Sequence, residues 1–119
     1  MKTIVIAEDE KSFLDAICDE LVDSGYKVFG ASTCEQCLDL LNTVTPDLVI
    51  VDIKLPAMGG LKLLEDVRKK FASVPVIMCT AYDSFKTEYE IWISKVSDYI
   101  IKPVDLDDFR SKIRKILGE

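Results

Sequence analysis

The feature that most constrains this chain is a five-fold alternation of short apolar runs with amphipathic stretches. Thr3–Ala7, Tyr26–Ala31, Asp47–Val51, Pro75–Cys79 and Tyr99–Ile101 are rich in Val, Ile and other strand-forming residues. Between and after them lie stretches with apolar residues at helical spacing. Lys11–Asp23 places Phe13, Leu14, Ile17, Leu21 and Val22 on one face, and Ser24-Gly25 stops it. Ser32-Thr33-Cys34-Glu35 reads as a capping box that opens a helix carrying Leu38, Leu40 and Leu41. Gly60–Phe71, Ser84–Val96 and Leu106–Leu117 complete the set. Strands that are apolar throughout, alternating with helices, imply a parallel sheet covered on both faces. The expected architecture is therefore α/β, a doubly wound (βα)5 unit. With 119 residues and no linker or low-complexity segment, residues 1–119 read as a single domain.

Composition removes several classes of function. A formal charge of −6 argues against binding to nucleic-acid backbones. No apolar run is long enough for a membrane span, and Met1–Ile6 lacks the shape of a signal peptide, so a cytoplasmic location is expected. The chain has no histidine, which excludes His-based triads and His metal ligands. Cys18, Cys34, Cys37 and Cys79 are expected to be reduced thiols. Cys34 and Cys37 form a C-x-x-C within a helical pattern and read as two small helix residues, although such spacing also occurs in redox proteins.

In open parallel sheets, ligands sit beyond the carboxyl ends of the strands. Glu8-Asp9-Glu10 follow the first strand, Asp52 the third, Thr80 the fourth and Lys102-Pro103 the fifth. Taken singly, each has an ordinary reading: acids cap helices, Asp sits in turns, Thr is structural and Lys is solvated. Their occurrence together at successive strand ends is what singles them out. Glu8, Asp9 and Asp52 would crowd negative charge that the lone cation Lys102 does not balance. A hard divalent cation with oxygen ligands would, so the acid surplus predicts a Mg²⁺ site. A carboxylate beside Mg²⁺ and an ammonium can attack a phosphoryl group, with the Thr80 hydroxyl donating to a transferring oxygen.

In these residues the chain resembles the receiver domain of bacterial response regulators, over essentially its whole length. Ile4–Glu10 resembles the acidic motif after the first strand, and Asp52–Gly60 the phosphoacceptor loop with its proline and glycine. Met78-Cys79-Thr80-Ala81 resembles the switch hydroxyl with its small neighbour, and Asp98–Pro103 the aromatic switch, lysine and proline. The resemblance implies a flavodoxin-like sheet of order 2-1-3-4-5 and a cis Lys102–Pro103 bond. It implies phosphorylation of Asp52 by a histidine kinase or phosphotransfer protein. Mg²⁺, for which Mn²⁺ can substitute, would be held by Asp9, Asp52, the backbone carbonyl of Lys54, and Glu8 directly or through water. Thr80 and Lys102 would contact the phosphoryl group. Thr80 and Tyr99 would then re-shape the surface of the fourth helix, fifth strand and last helix for a downstream partner or output domain. The protein would be a switch that assists its own phosphorylation and slow dephosphorylation, not an enzyme acting on other substrates.

The chain departs from the family pattern in places. Lys95 and Val96 stand where Gly-Ala is common, so the usual helix stop is missing. The fourth helix is unusually apolar: Phe85, Tyr89, Trp92 and Val96 form one stripe, with Ile91 and Ile93 off it. Such a stripe is more often core than interface; a partner or homodimer surface here is the second reading. In the family the positions of Lys54 and Tyr82 flank the path of attacking water, so the resemblance implies that a long cation and an aromatic there give a long-lived aspartyl phosphate. Three other readings fit less well. An FMN protein would not repel phosphate with Glu8-Asp9-Glu10. A haloacid-dehalogenase phosphatase needs a D-x-D at the first strand. A thiol redox protein leaves the acids unexplained.

Overall fold

The computed structural model describes residues 1–52, 59–80 and 96–119, with only the backbone at Gly60, Leu61 and Thr80. The strands are β1 (Thr3–Ala7), β2 (Lys27–Ala31), β3 (Leu48–Asp52), β4 (Val76–Thr80) and β5 (Asp98–Ile101). The helices are α1 (Lys11–Asp23), α2 (Cys34–Leu41), α3 (Gly60–Lys70) and a last helix, Leu106–Leu117. All the strand pairings are parallel, in the order β2-β1-β3-β4-β5. This is the doubly wound α/β sheet expected from the alternation.

The period-2 geometry of the strands sorts their side chains into two cores. Val5, Ala7, Val49, Val51, Val76 and Met78 pack on one face with Cys34, Cys37 and Leu41 of α2 and Leu63, Leu64 and Val67 of α3. Ile4, Ile6, Leu48, Ile50, Ile77 and Ile100 pack on the other with Leu14, Ile17 and Leu21 of α1 and Phe109, Ile113 and Leu117 of the last helix. Every β3 residue is buried. That explains why its sequence is apolar without alternation. β2 and β5 are the edge strands, and both are more exposed than β3. Burying a side chain such as Phe109, 1% exposed, contributes on the order of 2–3 kcal/mol.

Several boundaries differ from the apolar pattern. β3 runs one residue later than Asp47–Val51. Asp47 instead ties down β1 from outside the strand, its carboxylate accepting the Thr3 N–H at 2.7 Å. Asp52 thus ends the strand and pairs in register with Cys79. β4 likewise starts at Val76, since Pro75 has no N–H for the ladder. β2 begins at Lys27, β5 begins one residue early at Asp98, and α3 ends at Lys70, because Phe71 is extended. The N-cap of α2 is Thr33, not Ser32: its side chain accepts the Gln36 N–H. The Gln36 side chain reaches back to the Ser32 N–H, at 2.9 Å. Val22 is 56% exposed and lies off the α1 face that buries Leu14, Ile17 and Leu21. The segment with Lys54, the Tyr82 position, the expected fourth helix as far as Lys95 and the Thr80 side chain lie outside the described residues, and Val96, the expected last residue of that helix, is not helical.

Candidate functional site

Parallel register carries the polar residues to one edge of the sheet. Ala7 of β1 pairs with Val51 of β3, Asp52 with Cys79 of β4, and Thr80 with Ile101 of β5. Each next residue beyond β1 and β5, Glu8 and Lys102, therefore emerges beside Asp52. The Glu8 N–H continues the sheet by donating to the Ala31 carbonyl at 2.9 Å. Gly59, the N-cap residue of α3, holds a φ of 83°, a conformation suited to glycine. The Lys102–Pro103 bond is cis.

Glu8, Asp9 and Asp52 each bring a carboxylate oxygen to within 4.8 Å of the others. Glu8 and Asp52 are buried, whereas Asp9 faces solvent. The Lys102 ammonium lies 2.5 Å from Glu8 Oε1 and 3.6 Å from Asp52 Oδ2. Glu8 Oε2 accepts the Glu10 N–H at 3.1 Å. Glu10 is the N-cap residue of α1, but its side chain makes no cap hydrogen bond.

The charges do not balance within this group, with three carboxylates against one ammonium. Burial pushes the Glu8 carboxyl up to about 7, and its hydrogen bond and repulsion with Asp52 add to this. Lys102 and the Glu10 N–H pull the other way. For Lys102, burial opposes the charged form, but the Glu8 hydrogen bond and the charges of Asp52 and Glu8 outweigh it, and its affinity for a proton is raised. A site that keeps a proton on a carboxyl near neutral pH is over-supplied with oxygen anions. A hard dication can replace that proton. The donor set, all oxygen with two buried members, fits Mg²⁺.

Two contacts were not visible in the sequence. Glu8 pairs with Lys102, 94 residues away, and the Lys102 ammonium lies 4.4 Å from the centroid of the Phe13 ring. No periodic signal links residues 8, 13 and 102; Phe13 reads only as an apolar helix residue. The cysteines bear on the redox reading. All four are free thiols, and Cys34, Cys37 and Cys79 are buried. Burial pushes Cys37 up to about 12, disfavouring the thiolate.

Comparison with known proteins agrees with this geometry. The family model of the response regulator receiver domain matches residues 4–114. The regulatory protein AtoC of Escherichia coli K12 is 32% identical over 114 residues, covering 96% of this chain and 25% of AtoC. The virulence transcriptional regulatory protein PhoP of Salmonella typhimurium LT2 is 28% identical over 117 residues, covering 98% of this chain and 52% of PhoP. The chain thus spans a quarter to a half of the length of these relatives. A CheY-like receiver domain protein from Methanospirillum hungatei JF-1 superposes with a TM-score of 0.91 at 33% identity, covering 99% of this chain and 94% of that one. The response regulator TrrA of Thermotoga maritima, solved in complex with Mg(2+)-BeF, gives 0.88 at 29% identity, covering 98% and 99%. With the family match spanning almost the whole sheet and its acidic edge, this chain belongs to the response regulator receiver domains of two-component signalling systems.

Proposed function

We propose that Asp52 is the phosphoacceptor of a switch formed by residues 1–119 as one receiver domain. One observation carries the reading: the Asp52 carboxylate is buried at the end of the central strand, among Glu8 and Asp9 and 3.6 Å from an ammonium. An Asp52 oxygen attacks the phosphorus of a phosphohistidine on a histidine kinase or phosphotransfer protein. The new P–O bond forms as the P–N bond breaks, and the histidine leaves with the electron pair. Lys102 neutralises charge on the transferring oxygens, and Thr80 donates to one of them. Asp9, Asp52, the Lys54 carbonyl and Glu8 would hold Mg²⁺, or Mn²⁺ in its place. When bound, the ion supplies further positive charge where the phosphoryl oxygens gather. The TrrA complex with Mg(2+)-BeF supports this choice of metal.

Phosphorylation adds charge and acceptor oxygens at Asp52. Thr80 moves toward them, and Tyr99 fills the space it leaves, shifting a population between two states. Tyr99 is already half-buried against the α2–α3 side of the core, with its carbonyl accepting from Lys112 of the last helix at 3.0 Å. The surface of the fourth helix, β5 and the last helix then engages a downstream partner, an output domain or a second copy of the chain. We place the switch in the cytoplasm, with no direct nucleic-acid contact of its own; no described helix is long and apolar enough to cross a membrane. Incubation with acetyl phosphate and Mg²⁺, read by intact mass, tests the proposal. One phosphoryl group is expected on the wild type, and none on Asp52→Asn or with a chelator present. Equal uptake by Asp52→Asn would overturn it.

A further inference from the structure

We propose that Phe13 is a positioning residue for Lys102, an inference that rests on the phosphoacceptor reading and adds a residue to its machinery. Lys102 is a compact ammonium on four methylenes, with rotamer entropy to lose and no fork to orient it. It follows the last residue of β5, and four rotatable side-chain bonds still decide where the charge sits. Two of its neighbours are the carboxylates of Glu8 and Asp52, at 2.5 and 3.6 Å. Both lie on the side toward the strands. The third is the Phe13 ring, whose centroid is 4.4 Å from the ammonium, well within the range over which a ring face attracts a cation.

The ring comes from a different element. Phe13 lies in the first turn of α1, half-buried against the same core that Leu14 and Ile17 enter. Phe13 and Lys102 also line one groove of about 590 Å³ together with Glu10, Ile17, Pro103 and Val104, so the ring and the lysine side chain share one surface. Lys102 is thus held from the strand side by charge and from the helix side by a polarisable face. The side chain is 17% exposed. This matters because phosphoryl transfer depends on position more than on covalent chemistry. When the phosphoryl group arrives, the ammonium exchanges a carboxylate oxygen for a phosphoryl oxygen. The attraction to a ring face has little directional demand in the plane of the ring, so this anchor persists through the exchange. Leucine at residue 13 would fill much of the space but offer no face to the cation.

The test uses Phe13→Leu and Phe13→Tyr. In the wild type, ring current is expected to move the Lys102 ε-proton resonances upfield. The shift should vanish in Phe13→Leu and persist in Phe13→Tyr. Phosphorylation by acetyl phosphate at saturating Mg²⁺ should slow about threefold to tenfold in Phe13→Leu, as expected for a half-desolvated cation–ring contact, and recover in Phe13→Tyr. An unshifted Lys102 resonance in the wild type overturns the proposal without any variant. So does a Phe13→Leu protein as fast as wild type, or a Phe13→Tyr protein as slow as Phe13→Leu. If the wild type takes up no phosphoryl group, the phosphoacceptor reading fails, and the resonance alone decides whether Phe13 seats Lys102.

Discussion

Replacing Glu8 with glutamine should make the metal-free protein more stable at alkaline pH. Glu8 is 1% exposed, and burial, followed by the hydrogen bond to Asp52, raises its carboxyl from 4.5 to about 7. The folded state therefore holds this proton more tightly than the unfolded state does. Below 4.5 both states are protonated and nothing is lost. As pH rises from 4.5 through 7 the unfolded state gains, and above about 7 the folded state carries the whole burden, roughly 3 kcal/mol. Glutamine keeps the shape and removes the charge. Its single amide oxygen can keep only one of the two bonds that Oε1 and Oε2 accept, from Lys102 and from the Glu10 N–H, which offsets part of the gain. The net expectation is about 1–2 kcal/mol of added stability at pH 8, and little at pH 5. Urea unfolding of both proteins at the two pH values, with a chelator present, measures it. Mg²⁺ should then raise the wild-type midpoint at pH 8 and raise that of Glu8→Gln less. A Glu8→Gln protein no more stable than wild type at pH 8, or equally favoured at pH 5, would refute the charge-crowding argument.

Other expectations follow from the same structure. The Tyr26 hydroxyl donates to Glu119 Oε1 at 2.6 Å, and burial, then that bond, push it up to about 12. Its stabilising contribution should be whole below pH 10 and be lost as pH rises through about 12; the tyrosinate absorbance difference between wild type and Tyr26→Phe reads this, and a component near 10 would contradict it. Burial pushes the Cys37 and Cys79 thiols to about 12, so at pH 8 a thiol reagent should modify half-buried Cys18 first and reach Cys34, Cys37 and Cys79 only on unfolding. Rapid Cys34–Cys37 pairing would restore the redox reading. Lys54→Ala and Tyr82→Ala should each shorten the lifetime of the aspartyl phosphate, measured as loss of the added mass after the donor is removed; unchanged decay in both would count against their shielding role. Trp92→Ala should reduce self-association in sedimentation if the apolar stretch from Phe85 to Val96 pairs two copies.

Much of the architecture was legible because burial leaves a mark on composition. Leu48-Val49-Ile50-Val51 is apolar at every position because both faces of β3 are covered, and such runs alternating with helices imply a parallel sheet. The strand ends were less legible. A strand is bounded by its hydrogen-bond ladder, and Asp52 belongs to the ladder although it is polar. The α2 cap shows the same limit: Ser32 and Thr33 are chemically alike, and only backbone geometry selects Thr33. Val22 was misplaced because an apolar residue beside Leu21 matches a helical pattern loosely, while the buried line runs through Leu14, Ile17 and Leu21. At the site, residue types and strand ends brought Glu8, Asp9, Asp52 and Lys102 into view. Which carboxylate Lys102 grips, and that Phe13 backs it, depend on side-chain reach across distant elements.

The central claim is that phosphate becomes esterified to one carboxylate, that of Asp52. Borohydride reduction of the protein after treatment with acetyl phosphate and Mg²⁺ converts an acyl phosphate into an alcohol that peptide mass spectrometry can locate. Homoserine in place of Asp52, and nowhere else, is the expected result. Reduction at Asp9, or no reduced residue in a protein that has bound Mg²⁺, would contradict the account.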